Sequence, residues 1–81
     1  MNNKVELALL HAPLHTPETG ALGPKLTSYK DAQNKAVKME DTDDGKFLVV
    51  WAPVPSNPKK LVKIIVPMSN VVYYVRDEKS S

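Results

Sequence analysis

Between Lys35 and Asp77 the chain is a succession of short apolar runs separated by turn residues, and no other feature restricts its fold as much. The runs are Ala36–Met39, Lys46–Ala52, Leu61–Val66 and Val71–Val75. β-branched and aromatic side chains fill them, and such residues suit a pleated, half-buried surface. The pattern predicts a small all-β domain.

The punctuation orders the strands. Val37 and Met39 alternate with Lys38 and Glu40, the pattern of a strand with one wet face. Asp43-Asp44-Gly45 then predicts a tight hairpin, with Asp-Gly supplying the positive backbone dihedrals of a primed turn. Lys46–Ala52 is apolar on both faces, so it is expected to be central and covered on each side. By period two, Phe47, Val49 and Trp51 share a face. That face is expected to hold the core, with Trp51 as its anchor. On that reading Trp51→Ala unfolds the chain, at roughly 3–5 kcal/mol. Pro53 and Pro55 are expected to end the strand, because proline cannot donate to a ladder. Ser56-Asn57-Pro58 reads as the next turn. Pro67 stops Leu61–Val66, and Met68-Ser69-Asn70 makes a short corner before the last strand.

The first half is less regular. Val5–Leu10 alternates imperfectly and reads as the first strand. Helix is the competing reading, because Leu, Ala and Glu favour helices, but Pro13 and Pro17 would stop one early. His11 to Leu26, punctuated by Pro13, Pro17, Gly20, Gly23 and Pro24, reads as one long loop, a kind of segment that is often functional. Ser28 is a candidate cap for a short helix through Gln33. Residues 1–76 form the expected single domain and 77–81 a polar tail that frays.

Five strands, a long loop after the first and a tight corner before the last resemble a Src-homology-3-like small barrel. Val66-Pro67-Met68-Ser69-Asn70-Val71 is similar to the Pro-Ser-Asn-Tyr-Val corner of that family, with Met68 inserted. The family's Ala-Leu-Tyr-Asp-Tyr start is absent, and its paired tryptophans are not in their places. The resemblance therefore implies a fold, a five-stranded SH3-like barrel, and not polyproline recognition. The charged hairpin and the closing Val-Pro-x-x-Asn-Val segment also resemble small orphan proteins of bacteriophage genomes. That likeness implies a viral source and a place in the host cytoplasm.

Composition narrows the chemistry. At 81 residues the chain buries only about 60% of its unfolded surface, which leaves little room for a preorganised catalytic pocket. It has no cysteine, so neither a disulfide nor a thiolate is available, which fits a reducing cytosol. Eleven Lys and Arg against nine Asp and Glu give a net charge of +2, too little to declare a nucleic-acid binder on charge alone. The apolar stretch near the N-terminus is too short for a secretory signal, and no run approaches a membrane span, so a cytoplasmic location is expected.

His11 and His15 have the spacing of helical metal ligands, but Pro13 lies between them. In extended chain they stand roughly 13 Å apart, so they are read as exposed loop histidines and no metal is assigned. Glu40 to Gly45 superficially resembles a calcium loop, yet the position needing a bidentate Glu falls on Trp51, and the segment reads as an acidic hairpin tip. No serine or threonine carries a nucleophile signature, so no catalytic residue and no cofactor are assigned and the chain is read as a non-enzyme.

Two binding readings remain. In the first, a non-catalytic module contacts nucleic acid, best single-stranded DNA, through the last two strands. Lys59, Lys60, Lys63 and Arg76 would meet phosphates, and Tyr73 or Tyr74 would stack on a base, with Trp51 a further platform. Adjacent tyrosines on a strand face opposite sides, so only one of them can point outward. In the second, a protein-interaction module inhibits or redirects a host enzyme through the Pro/Leu-rich loop 11–26, using Leu14, Pro17, Leu22 and Pro24. The loop leucines fit equally well as a cap on the open end of a barrel. A homodimer is a variant, because a strand apolar on both faces asks for more cover than a small chain provides.

Overall fold

The computed structural model describes residues 3–28 and 37–77. Its elements are strands β1 (Asn3–Leu10), β2 (Leu14–Thr16), β3 (Gly20–Leu22), β4 (Lys25–Thr27), β5 (Lys38–Asp41), β6 (Phe47–Val54) and β7 (Asn57–Pro67), a 3-10 turn over Met68–Asn70, and β8 (Val71–Arg76). The protein is all-β, as expected. β8 pairs with β1, β1 with β4 and β5, β5 with β6, and β6 with β7, every pair antiparallel. The sheet curls into a half-barrel. The helix expected after Ser28 and the tail beyond Asp77 lie outside the described residues.

The imperfect alternation of the first strand has a structural cause. β1 pairs with β8 in a register that slips between Val5 and Leu7 and again between Leu9 and Leu10. Each bulge places one extra residue on one strand and re-aims the side chains beyond it. Val5, Ala8 and Leu10 can therefore all be buried although they do not share a parity.

The segment 11–26 is not the structureless loop the prolines and glycines indicated. β2 and β3 pair through Leu14↔Leu22, His15↔Ala21 and Thr16↔Gly20. The Thr19 amide donates to Thr16 Oγ1 at 3.0 Å and closes their turn, and Gly20 takes the positive φ of 73° that follows it. β4 then lies along β1. Ladders of three residues are too short to show a period in the sequence.

The hairpin joining β5 to β6 is where it was expected but is not a primed turn. Gly45 alone in it has positive φ, at 70°, and its amide donates to the Thr42 carbonyl at 2.9 Å. Asp43 and Asp44 thus form the centre of an ordinary turn with glycine at its last position. The Asp44 carboxylate accepts from the Thr42 hydroxyl and, at 3.0 Å, from the Lys46 amide, and these bonds hold its pKa below the usual value.

At its far end β6 runs through Pro53 to Val54 and does not stop at Pro53. Pro53 sits opposite Leu61, and the register slips just beyond it. A proline at the margin of a ladder, next to a bulge, forfeits little. The turn is Pro55-Ser56, and β7 already begins at Asn57.

The core lies inside the curl. Leu48, Val50 and Ala52 of β6 are fully buried there with Met39, Val5, Val66 and Ala8, and Leu22 and Leu26 close one end. The inward residues of β6 are therefore the even-numbered ones, so the face chosen from sequence for the core is the outer one. Phe47 is 39% exposed and Trp51 is only half-buried. Asp41, at an inward position of β5, is also fully buried. Its Oδ2 accepts from Tyr74 Oη at 3.0 Å and from Arg76 Nε and Nη2 at 3.1 and 2.9 Å, and its Oδ1 accepts from the Asn3 amide at 3.1 Å. One carboxylate thereby joins β5, β1 and β8.

Candidate binding surface

The outer face of β5, β6 and β7 is built in rows set by register. Lys38, Trp51 and Lys63 form one row, and Glu40, Val49 and Ile65 the next. Pro53 faces Leu61 at one end and Phe47 faces Pro67 at the other. Directly opposed residues in a sheet point to the same side, so these side chains share one surface. Leu61 and Ile65 are each 51% exposed.

Trp51 lies between two cations. Lys38 Nζ is 5.0 Å from the ring centroid and Lys63 Nζ 6.0 Å. Both distances are within reach of the ring quadrupole, and the lysine stems shield part of the indole from water. Lys38 also stands 3.9 Å from Glu40, a pair of little energetic weight at the surface. The hairpin turns alone do not give this row: counted from the Pro55-Ser56 turn Trp51 would face Lys60, and the register shift beyond Pro53 brings Lys63 opposite it instead. A residue with lysines on both cross-strand neighbours belongs to the wet face.

The residues proposed from sequence for nucleic acid do not form one surface. Lys59, Lys60 and Lys63 are exposed along β7, but β8 lies at the opposite end of the strand order, beyond β6, β5 and β1. Consecutive strands there are joined by a corner and not paired. Tyr73 is 50% exposed, opposite Leu9, while Tyr74 turns inward against the core. The expectation that the two tyrosines face opposite sides is met. Burial and the Asp41 carboxylate raise the Tyr74 pKa. Arg76 is held on Asp41. Its guanidinium already serves a structural carboxylate, which raises its own pKa.

The loop residues proposed for a protein partner also divide. Leu22 is buried in the core and Leu14 is half-buried against it, whereas Pro17 and Pro24 are exposed. Leu22 is thus committed to the core, and Leu14 only in part. His11 and His15 are both exposed, and among the described residues no group of three or more His, Cys, Asp or Glu is placed to hold a metal ion. No helix among the described residues is long and apolar enough to cross a membrane.

Comparison with protein-family models, with curated proteins and with solved structures finds no match for this chain.

Proposed function

We propose that this chain is a non-catalytic protein-interaction module that docks its partner on the outer face of β6 and β7. The observation that carries this reading is the clustering of Phe47, Leu61 and Ile65, all exposed, around the half-buried Trp51 on one sheet face. Burying one such side chain fully in an interface stabilises by roughly 1.5–3 kcal/mol, and tryptophan is over-represented among residues that dominate binding. The site differs from the Pro/Leu loop indicated by the sequence, but the class of function is the alternative named there. The Src-homology-3-like reading of the fold is kept as part of the proposal. It is supported by the order β8-β1-β5-β6-β7, the long excursion after β1 and the 3-10 corner at Met68–Asn70. The likeness to small phage proteins makes a host enzyme the kind of partner proposed.

Capture tests the reading. Immobilised wild-type chain should retain a partner from a lysate of its native cell or host. Ile65→Glu should lose it, while Tyr73→Ala, on the β1–β8 side, should keep it, with both variants melting like the wild type. Retention by Ile65→Glu would sink the proposal.

A second reading, single-stranded nucleic acid, is favoured by one specific observation, the Lys38–Trp51–Lys63 row, an aromatic platform between two cations. Filter binding against salt separates the two. Micromolar affinity for an oligonucleotide that falls steeply with salt and disappears in Trp51→Ala would put nucleic acid first.

A further inference from the structure

The β6–β7 face is narrow. Two strands, the longer about 35 Å in length and the pair about 10 Å across, offer on the order of 350 Å², below half of the roughly 800 Å² a standard interface takes from each partner. A partner that met only this face would be short of contact. The free edge of β7 supplies what is missing. β7 is the longest strand, and among the described residues it pairs with β6 alone. Alternate residues of an edge strand direct their N–H and C=O groups away from the sheet, a row of unused ladder positions.

The edge has a definite charge. From Phe47 to Pro67 the hairpin holds three lysines and no acidic residue. All three lysines, Lys59, Lys60 and Lys63, are on β7 and exposed. On the outer face β7 reads Lys59, Leu61, Lys63, Ile65. On the other it reads Lys60, Val62, Ile64. A second copy of β7 added antiparallel would set lysines against lysines or close to them, which is unfavourable across a ladder. The same pattern complements a strand whose acidic and apolar residues alternate in the matching order.

We propose that the β7 edge takes up an extended, acidic-apolar segment of a partner protein by strand addition, with acidic side chains opposite Lys59, Lys60 and Lys63 and apolar ones opposite Leu61 and Ile65. The proposal rests on the protein-interaction reading and names the chemistry of its partner. Strand addition gives affinity through the backbone and specificity through alternate side chains. The lysines then have two effects: they block self-pairing of the edge and select the charge of what is admitted.

The test is a chemical-shift titration of the full chain with the capped peptide Val-Thr-Glu-Val-Leu-Glu-Glu. In antiparallel register it sets acids opposite the three lysines. Shifts are expected in the β7 amides, and replacing every Glu by Lys should weaken binding about tenfold or more, the sum of three modest surface pairs. Methylating the peptide amides that face β7 should abolish binding. The exposed double variant Lys59→Glu/Lys60→Glu should reverse the preference toward the lysine peptide. Equal binding of the two peptides, or of the N-methylated one, would overturn strand addition. Shifts confined to Trp51 and Ile65 would also overturn it, yet leave the face reading standing. A doubled mass in sedimentation, with no peptide bound, would give the edge to a second copy instead. No shift with any peptide, together with partner capture that depends on Ile65, would reject the edge alone. Loss of that dependence would reject both.

Discussion

The two faces of β6 have nearly the same hydrophobicity and opposite fates. Inward, Leu48, Val50 and Ala52 are fully buried and Val54 nearly so. Outward, Phe47 is exposed and Trp51 half-buried, with only Val49 well covered. What separates the faces is size. The interior of a small curled sheet is tight and is filled by side chains of limited volume. The inward set is aliphatic and shrinks to alanine at position 52, whereas both aromatic rings are outside. In a strand apolar on both sides the bulkiest residues are thus not a guide to the core.

The comparison can be broken by experiment. Leu48→Ala removes a fully buried side chain from the inner face, and a loss of about 3 kcal/mol is expected in urea unfolding. A loss under about 1 kcal/mol would mean that the inner face is not the core.

Asp41 sharpens the contrast, because it is the polar member of the inward set. Burial acts to raise its pKa, but the hydrogen bonds from Arg76, Tyr74 and the Asn3 amide, with the charge of Arg76, outweigh this and hold it below the ordinary carboxylate value. A depressed folded pKa contributes stability that is fully present above the unfolded pKa, near 3.9, and is lost as pH falls through the folded one. The melting temperature should accordingly drop as the solution is acidified below about pH 4. Asp41→Asn should cost about 1–3 kcal/mol at neutral pH, since it weakens bonds made to a buried charge. It should also flatten the acid limb of the melting curve. An unchanged limb would assign the acid sensitivity to other carboxylates.

Trp51→Ala is expected to cost about 1 kcal/mol, the value of a partly exposed ring with its cation contacts, and to leave the chain folded. This replaces the unfolding expected when Trp51 was read as the core anchor. Circular dichroism melts decide between them, and wild-type tryptophan emission should be accessible to added quencher. The smallest effect belongs to Ile65→Glu, within about 0.5 kcal/mol of wild type in the same melts, because the residue faces solvent. A large loss there would show that the outer face is covered in the isolated chain.

Much of the fold was legible. The extended runs of β1, β5, β6, β7 and β8, the corner after Pro67 and the division between Tyr73 and Tyr74 follow from period-two patterning and proline chemistry, but the main sheet has six strands and not five. The β2–β3 hairpin and the pairing of β4 with β1 were not legible, because three-residue ladders carry no measurable period and the turns between them look like loop. The bound state of Arg76 was hidden as well. Nothing near Arg76 in sequence shows that a carboxylate thirty-five positions earlier lies buried within reach of it. Of the candidate surface, Lys59, Lys60 and Lys63 stand out in the sequence and lie exposed on β7. The outward setting of Trp51 was not legible, because the register shift beyond Pro53 and the choice of inner face are made only in the assembled sheet.

What the residue order determined by itself is local: which stretches extend, where the chain must turn, and which neighbours within a strand share a face. Those properties depend on backbone dihedrals and on a two-residue period, and both are written in adjacent residues. Which of the two β6 faces closes over the core, which strands become edges, and which lysines meet a tryptophan depended on the curl of the whole sheet. Curvature makes one side confined and the other open, and that asymmetry arises only when β8, β1, β5, β6 and β7 are assembled together.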